Sequence, residues 1–340
     1  MNSWFWKTIE MVIAPLSVAV VLTACGGGGG GGVTLPTTPF PNPTYVERDI
    51  SPLATDASIT SGTESHVAIT PAATAIKAGR LFVFLPGTGA TPSLYRLILR
   101  SGASRGFHAI GLNYPNPTAI GSLCQDSTDA NCYWDTRREV ITGTDSSSLI
   151  SVIPADSIVN RLLKAVSYLN QQYPAEGWGQ FLAAGSIDWS KIIMAGHSQG
   201  GGHAGAMAKL YSLNRAVYFS SPADWSNKTG APATWTTMTN VTPLAKQYGF
   251  SHLQDNLVPY TELSQIWQNI GLNTLGSAVS VDSASSPFSN SHQLTTSRLP
   301  NLSLGAVSPY HSAPVVDAAT PRTASGTPVY EPVWGYLCFE

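Results

Sequence analysis

The sequence is poor in charged residues. Asp, Glu, Lys and Arg make up 11% of its 340 residues, against about 25% in an ordinary soluble domain. The formal net charge is -2, and no cluster of Lys and Arg provides the electrostatic footprint that nucleic acid requires. Hydrophobic residues, at 43%, supply enough apolar surface to offset the conformational entropy lost on folding. Composition therefore excludes a nucleic-acid-binding protein and a disordered chain, and favours an exported globular protein.

The N-terminal apolar stretch is too short for a comfortable transmembrane helix, which needs about 20 apolar residues. It runs from Met11 to Ala24 behind Lys7 and predicts a signal peptide over residues 1–24. Its end, Leu22-Thr23-Ala24-Cys25, resembles the bacterial lipobox, which implies lipidation of Cys25. A membrane-anchored protein of the bacterial cell envelope, at the outer membrane or cell surface, is then expected. A cleaved soluble secretory peptide and an uncleaved membrane anchor are the alternatives.

Residues 26–43 lack the apolar side chains needed to pack a core. Seven glycines, Gly26 to Gly32, are followed by a proline-rich stretch. Glycine-rich chain is a flexible coil and proline-rich chain is an extended spacer, so we expect residues 25–44 to form a lipidated cysteine and its tether. Residues 45–340 contain no second linker and no repeat, which predicts a single domain there.

Cysteine is scarce, with four residues in the chain. Cys124 and Cys132 are separated by a short polar loop, and in an oxidising compartment this spacing predicts a local disulfide. Metal binding is the alternative, but no histidine or second cysteine pair lies at ligand spacing. Cys338 has no predicted partner.

Strand and helix patterns alternate along the rest of the chain. Short apolar runs typical of buried parallel strands lie at 80–85, 107–114, 191–196, 215–220 and 247–253. Helical spacing of apolar residues is found at 93–101, 154–173, 200–213 and 259–271. This alternation predicts an α/β fold, with a mostly parallel central sheet and helices on both faces.

The segment Gly196-His197-Ser198-Gln199-Gly200 matches the pattern G-x-S-x-G. It follows a predicted buried strand and precedes a predicted helix, as a nucleophilic serine on a sharp turn requires. The turn would place the Ser198 hydroxyl at the carboxyl end of the sheet, where the helix N-terminus favours developing negative charge. A glycine-rich turn without catalytic meaning is the alternative.

A serine nucleophile needs a histidine base and an acid that orients it, and both follow the serine along the chain in proteins with this motif. His311 lies in a late loop before an apolar stretch and is the favoured base, with His292 as the second candidate. Asp255 ends a predicted strand and is the favoured acid, with Asp224 as the alternative. The predicted triad is Ser198, His311 and Asp255.

The negative charge of a tetrahedral intermediate requires backbone amide donors. The residue after the nucleophile, Gln199, is expected to supply one amide. The loop 85–90 contains two glycines that permit close backbone approach, and Thr88, or failing that Gly89, is expected to supply the other. A plain turn would explain this loop as well.

The sequence resembles the α/β-hydrolase superfamily in four segments that follow the order of that family. They are the Pro86-Gly87-Thr88-Gly89 loop, the Ser198 turn, the Asp255 loop and the His311 loop. The resemblance covers roughly residues 80–316 and implies a serine hydrolase of the esterase or lipase kind. It would cleave small-molecule, lipid or polymeric carboxylic esters through an acyl-enzyme, without a metal or organic cofactor. Most members have His-Gly where this chain has Pro86-Gly87.

Two other functions remain open on the same scaffold. One is a catalytically inactive binding lipoprotein displayed at the surface, and the other is a peptidase or amidase. The segment 115–152 is expected over the active edge of the sheet, where it would line the substrate pocket or form a solvated loop.

Overall fold

The computed structural model describes residues 45–340, so the predicted signal peptide, Cys25 and the tether lie outside the described residues. A nine-stranded sheet is the centre of the described part, in the order β1-β2-β4-β3-β5-β6-β7-β9-β8. Its strands are β1 Tyr45–Ile50, β2 His66–Pro71, β3 Leu81–Leu85, β4 His108–Gly111, β5 Ile192–His197, β6 Arg215–Phe219, β7 Gln247–His252, β8 Val279–Ser280 and β9 Gln293–Thr296.

The sheet is parallel from β4 to its far edge and antiparallel where β1 and β2 join it. Leu85 of β3 pairs with Gly196 of β5, and His197 of β5 pairs with Phe219 of β6. Since parallel strands in this register end together, the loops that follow β3, β5 and β6 meet at one edge. The predicted mostly parallel sheet is therefore confirmed.

Helices connect and cover these strands. They are α1 Pro52–Thr55, α2 Arg96–Ser104, α3 Ile120–Cys124, α4 Cys132–Thr142, α5 Ile158–Gln172, α6 Gln199–Leu210, α7 Tyr260–Ile270, α8 Pro309–Ser312 and α9 Glu331–Trp334. The pattern predicted a helix from residue 154, but α5 begins at Ile158 because Ser157 is extended and its hydroxyl accepts the Asn160 amide. Within the described part of the chain, no helix is long and apolar enough to cross a membrane.

Both faces of the sheet are covered, because successive residues of a strand point to opposite sides. Leu81, Val83 and Leu85 of β3 belong to a core cluster with apolar residues of α5, α6 and α7. Phe82 and Phe84 belong to a second cluster, which contains residues of α2, α9 and the C-terminal segment. All five β3 residues are buried, and this two-sided burial explains why the strand has no polar alternation.

The predicted disulfide is confirmed, since Cys124 and Cys132 are bonded with their Cα atoms 5.6 Å apart. The bond joins the end of α3 to the start of α4. Closing this short loop stabilises the fold by about 2 kcal/mol in the chain-entropy model. Cys338 is free and buried.

Candidate active site

Ser198 lies on the tight turn between β5 and α6. Its backbone adopts φ 53° and ψ -120°, a conformation that costs about 1–3 kcal/mol in a residue other than glycine. Two hydrogen bonds hold it there, from Ser198 N–H to Phe219 O at 2.9 Å and from Gly202 N–H to Ser198 O at 3.0 Å. The half-buried side chain therefore projects from the carboxyl end of β5.

The backbone on either side of Ser198 is packed too closely for side chains. A Cβ atom at Gly196 would overlap the carbonyl group of Gly200, and one at Gly200 would overlap the carbonyl oxygen of Leu85. Both overlaps involve backbone atoms, in the first turn of α6 and at the end of β3, and these cannot move aside as the end of a flexible side chain can. The turn thus requires glycine at these two positions.

His311 and Asp255 form a buried pair. The His311 Nδ1 and Asp255 Oδ2 atoms are 2.7 Å apart, and the two side chains are 5% and 0% exposed. The other carboxylate oxygen, Oδ1, accepts the backbone N–H groups of Leu257 and Val258 at 2.9 Å each. Since a carboxylate accepts hydrogen bonds, the pair holds a proton on Nδ1, and Nε2 is the ring nitrogen left to accept another hydrogen bond.

His311 is attached to the Ser198 turn through its backbone. The His197 ring donates from Nε2 to the His311 carbonyl at 3.1 Å, and the two ring centroids are 4.6 Å apart. Within residues 45–340 the Ser198 hydroxyl has no hydrogen bond to the His311 ring. The structure therefore joins His311 to Asp255 and does not join it to the Ser198 hydroxyl.

The alternative acid and base have other partners. Asp224 forms a bidentate ion pair with Arg137, with one contact of 2.6 Å, and its Oδ2 also accepts the Trp235 indole N–H at 2.7 Å. His292 bonds through Nδ1 to the Gln247 carbonyl at 2.8 Å. Of the candidate acids and bases, Asp255 and His311 are the two that the structure joins.

Thr88 and Gln199, the predicted amide donors, lie side by side. The Thr88 hydroxyl donates to Gln199 Oε1 at 2.8 Å. Within the described residues neither of their backbone N–H groups has a hydrogen-bond acceptor, whereas the Gly89 N–H donates to Asn116 O at 2.9 Å. Unpaired amides on two residues in contact beside a serine turn can bind an oxyanion, and Thr88 fits this role better than Gly89, whose N–H is already bonded.

Asn116 fixes the shape of the loop that contains Thr88, although sequence reasoning did not identify it. Its side-chain amide donates to Gly87 O at 2.7 Å and to Ala90 O at 2.9 Å. Asn116 stands between two prolines and so belongs to no helix or strand pattern. Its role depends on a contact between distant parts of the chain, which a local pattern does not reveal.

The segment 115–152 packs against the start of α6 and is not merely a solvated loop. Arg137 of α4 is 2% exposed and donates to Gln199 O at 3.1 Å. The Ile120 N–H donates to Gln199 Oε1 at 3.2 Å. Gln199 consequently contacts both this segment and Thr88.

His203 is a buried histidine outside the candidate triad. It is 0% exposed, and neither ring nitrogen has a hydrogen-bond partner among the described residues. Burial, with a smaller effect of the Arg137 charge, holds its pKa well below the usual value. The folded protein therefore keeps His203 neutral, while the unfolded chain binds a proton below about pH 6.5.

We expect His203→Leu to reduce the acid sensitivity of the fold. The unfolded state binds the extra proton, so His203 lowers stability as the pH falls below about 6.5. The variant should lose less free energy of unfolding on acidification, by up to about 1.4 kcal/mol per pH unit. Urea unfolding from about pH 8 to pH 5 measures this difference. Met207→Leu, a buried control in the same helix, should show the wild-type dependence of the free energy of unfolding on pH. If His203→Leu also showed the wild-type dependence, the prediction would be contradicted.

The site thus combines a serine on a strained turn, a histidine–carboxylate pair and, on two residues whose side chains are in contact, unpaired backbone amides. These are the groups that acyl transfer requires. No protein-family model matches the chain, and neither does any curated protein.

Proposed function

We propose that this protein is a serine hydrolase with the α/β-hydrolase fold that cleaves carboxylic esters. The observation that carries the proposal is the 2.7 Å contact between His311 Nδ1 and Asp255 Oδ2, formed next to the Ser198 turn. Ser198, Asp255 and His311 follow one another along the chain in the order that this fold uses, and His197, the neighbour of Ser198, donates to the His311 carbonyl. The mostly parallel sheet, with the serine turn directly after one of its central strands, supports the same conclusion.

In the first half of the reaction, Ser198 Oγ attacks the ester carbonyl carbon while His311 Nε2 accepts the hydroxyl proton. The carbonyl oxygen becomes an oxyanion and accepts hydrogen bonds from the Thr88 and Gln199 amides. The carbon–oxygen bond to the alcohol then breaks, and His311 gives its proton to the leaving oxygen. Asp255 keeps the imidazole oriented and stabilises its charged form.

In the second half, water hydrolyses the acyl group on Ser198. His311 Nε2 takes a proton from the water as its oxygen attacks the acyl carbon. The new oxyanion accepts hydrogen bonds from the same two amides. Collapse of this intermediate releases the carboxylic acid and returns the proton to Ser198. Each role is filled by a residue of the chain, and an amide could follow the same steps with an amine as the leaving group.

We further propose that the protein is exported and anchored to the cell envelope by lipid on Cys25. Support within the described residues comes from the Cys124–Cys132 disulfide, because such bonds persist in oxidising compartments.

Labelling with a fluorophosphonate probe tests the proposed function. The folded protein should gain one adduct on the peptide that contains Ser198. The rate of p-nitrophenyl butyrate hydrolysis should fall in proportion to the fraction of protein labelled. Protein unfolded in urea is the control and should not react, because an isolated serine hydroxyl is a weak nucleophile. Absence of labelling in folded protein would favour the inactive binding protein, and faster turnover of matched amides than of esters would favour a peptidase.

A further inference from the structure

A buried chain of hydrogen bonds connects three parts of the candidate site. The Gly87 N–H donates to the Tyr95 hydroxyl oxygen at 3.1 Å. That hydroxyl lies 3.0 Å from His197 Nδ1, and His197 Nε2 lies 3.1 Å from the His311 carbonyl oxygen. Tyr95 is 1% exposed and His197 is 4% exposed. We call this set Gly87, Tyr95, His197 and His311 the relay.

One arrangement of protons satisfies the whole relay. The His311 carbonyl can only accept, so His197 Nε2 must carry a hydrogen. Burial, with a smaller contribution from His311, holds the His197 pKa well below its usual value, which keeps the ring neutral. Nδ1 is then an acceptor, and Tyr95 must donate to it; burial raises the pKa of Tyr95, so its proton stays in place.

Three members of the relay, Gly87, His197 and His311, adjoin or supply a group of the proposed reaction. Gly87 precedes the amide donor Thr88, and His197 precedes the nucleophile Ser198. A Cβ atom at Gly87 would lie 3.1 Å from His197 Nδ1 and 3.3 Å from Ser198 Cβ, so the loop and the serine turn are in contact. The His311 carbonyl accepts a second hydrogen bond, from the Ser220 hydroxyl at 2.8 Å.

We propose that Tyr95 and His197 are positioning residues that set the distances between the loop 85–90, which would supply the Thr88 amide, the nucleophile Ser198 and the base His311. This inference rests on the proposed hydrolase function. A misplacement of about 1 Å in such a site can cost about 100-fold in rate. The His197 and His311 ring centroids are 4.6 Å apart. Because the His197 ring is neutral, it does not repel the positive charge that the His311 ring would gain during turnover.

Tyr95→Phe tests the relay, since it removes one oxygen atom and leaves the ring packed on Phe84. His197 Nδ1 loses its donor and the Gly87 N–H loses its acceptor. We expect kcat for p-nitrophenyl butyrate to fall by about 10- to 100-fold, with a much smaller change in KM. The rate of fluorophosphonate labelling should fall in parallel.

Tyr336→Phe is the matched control. Its buried hydroxyl donates to the Ser291 carbonyl at 2.9 Å, so the variant also loses a buried hydrogen bond, but one whose partner is not a member of the relay. It should lower the Tm comparably and leave kcat unchanged. A wild-type kcat for folded Tyr95→Phe, or a loss no larger than that of Tyr336→Phe, would overturn the relay.

Two His197 variants decide the question if Tyr95→Phe does not fold. His197→Gln keeps an N–H donor for the His311 carbonyl, and His197→Leu removes it. A higher kcat for the Gln variant supports the relay, and equal kcat values overturn it. Failure of the proposed function is a separate result, because wild-type protein would then neither hydrolyse esters nor react with the probe.

Discussion

Ser198→Ala is expected to lower kcat for p-nitrophenyl butyrate by about 10⁴-fold or more. The methyl group cannot attack the ester, and the remaining activity would come from the Thr88 and Gln199 amides acting on bound substrate and water. Alanine fits the turn about as well as serine does, because both carry a Cβ atom at the same positive φ. Initial rates, together with thermal unfolding to verify an intact fold, measure the effect.

Ser251→Ala provides the control for removal of a serine hydroxyl. Ser251 is 0% exposed, and its hydroxyl has no hydrogen-bond partner among the described residues. Its removal should leave kcat unchanged and preserve or raise the Tm, because an unpaired buried polar group costs stability. If Ser198→Ala retained turnover comparable with that of Ser251→Ala, the nucleophile would have to be sought elsewhere.

Asp255→Asn is expected to lower kcat by about 10³- to 10⁴-fold with little change in fold. The asparagine oxygen can still accept the amides of Leu257 and Val258, which now bond to Asp255 Oδ1 at 2.9 Å. Its NH₂ group would then face His311 Nδ1 and favour the tautomer with hydrogen on Nε2. A ring in that state cannot take the proton of Ser198. Steady-state kinetics and Tm, measured on the same preparation, separate the two effects.

Asp224→Asn is the matched comparison, for which we expect a large loss of stability and little loss of kcat. It leaves the charge of Arg137, which is 2% exposed, without its partner, and breaking a buried ion pair costs about 3–5 kcal/mol of stability. The kcat of the protein that remains folded should stay within a few-fold of wild type. A larger loss of kcat for Asp224→Asn than for Asp255→Asn would make Asp224 the functional acid.

The central strands could be predicted from the sequence because both faces of the sheet are covered. Strand β3 is buried along its whole length and reads as an uninterrupted apolar run. Strand β1 was missed, since its sequence contains Glu47, Arg48 and Asp49. Glu47 pairs with Arg100 and Arg48 pairs with Glu176, and partners so far along the chain leave no local pattern.

In the candidate site, too, local features could be predicted from the sequence and contacts between distant segments could not. The Ser198 turn is a local feature, since the chain needs glycines at fixed positions around one residue, and five consecutive residues reveal it. Tyr95 and His197 are separated by 102 residues, and Arg137 and Asp224 by 87. Such pairs depend on how the loops meet at the sheet edge. Local patterns therefore predicted the candidate nucleophile, acid and base, but not the residues that pack around them.

The close packing of α6 has a consequence for how this protein can diverge. Cβ atoms at Gly200, Gly201 and Gly202 would overlap three different neighbours, namely the end of β3, Ser221 after β6 and Arg137 of α4. The serine and the glycines are therefore constrained for different reasons. At Gly200 and Gly201 a new Cβ atom would meet the backbone oxygen atoms of Leu85 and Gly196, so the fold requires glycine there whatever residue occupies position 198. If the proposed function holds, a related chain that had lost the activity could replace Ser198 and would still keep these two glycines.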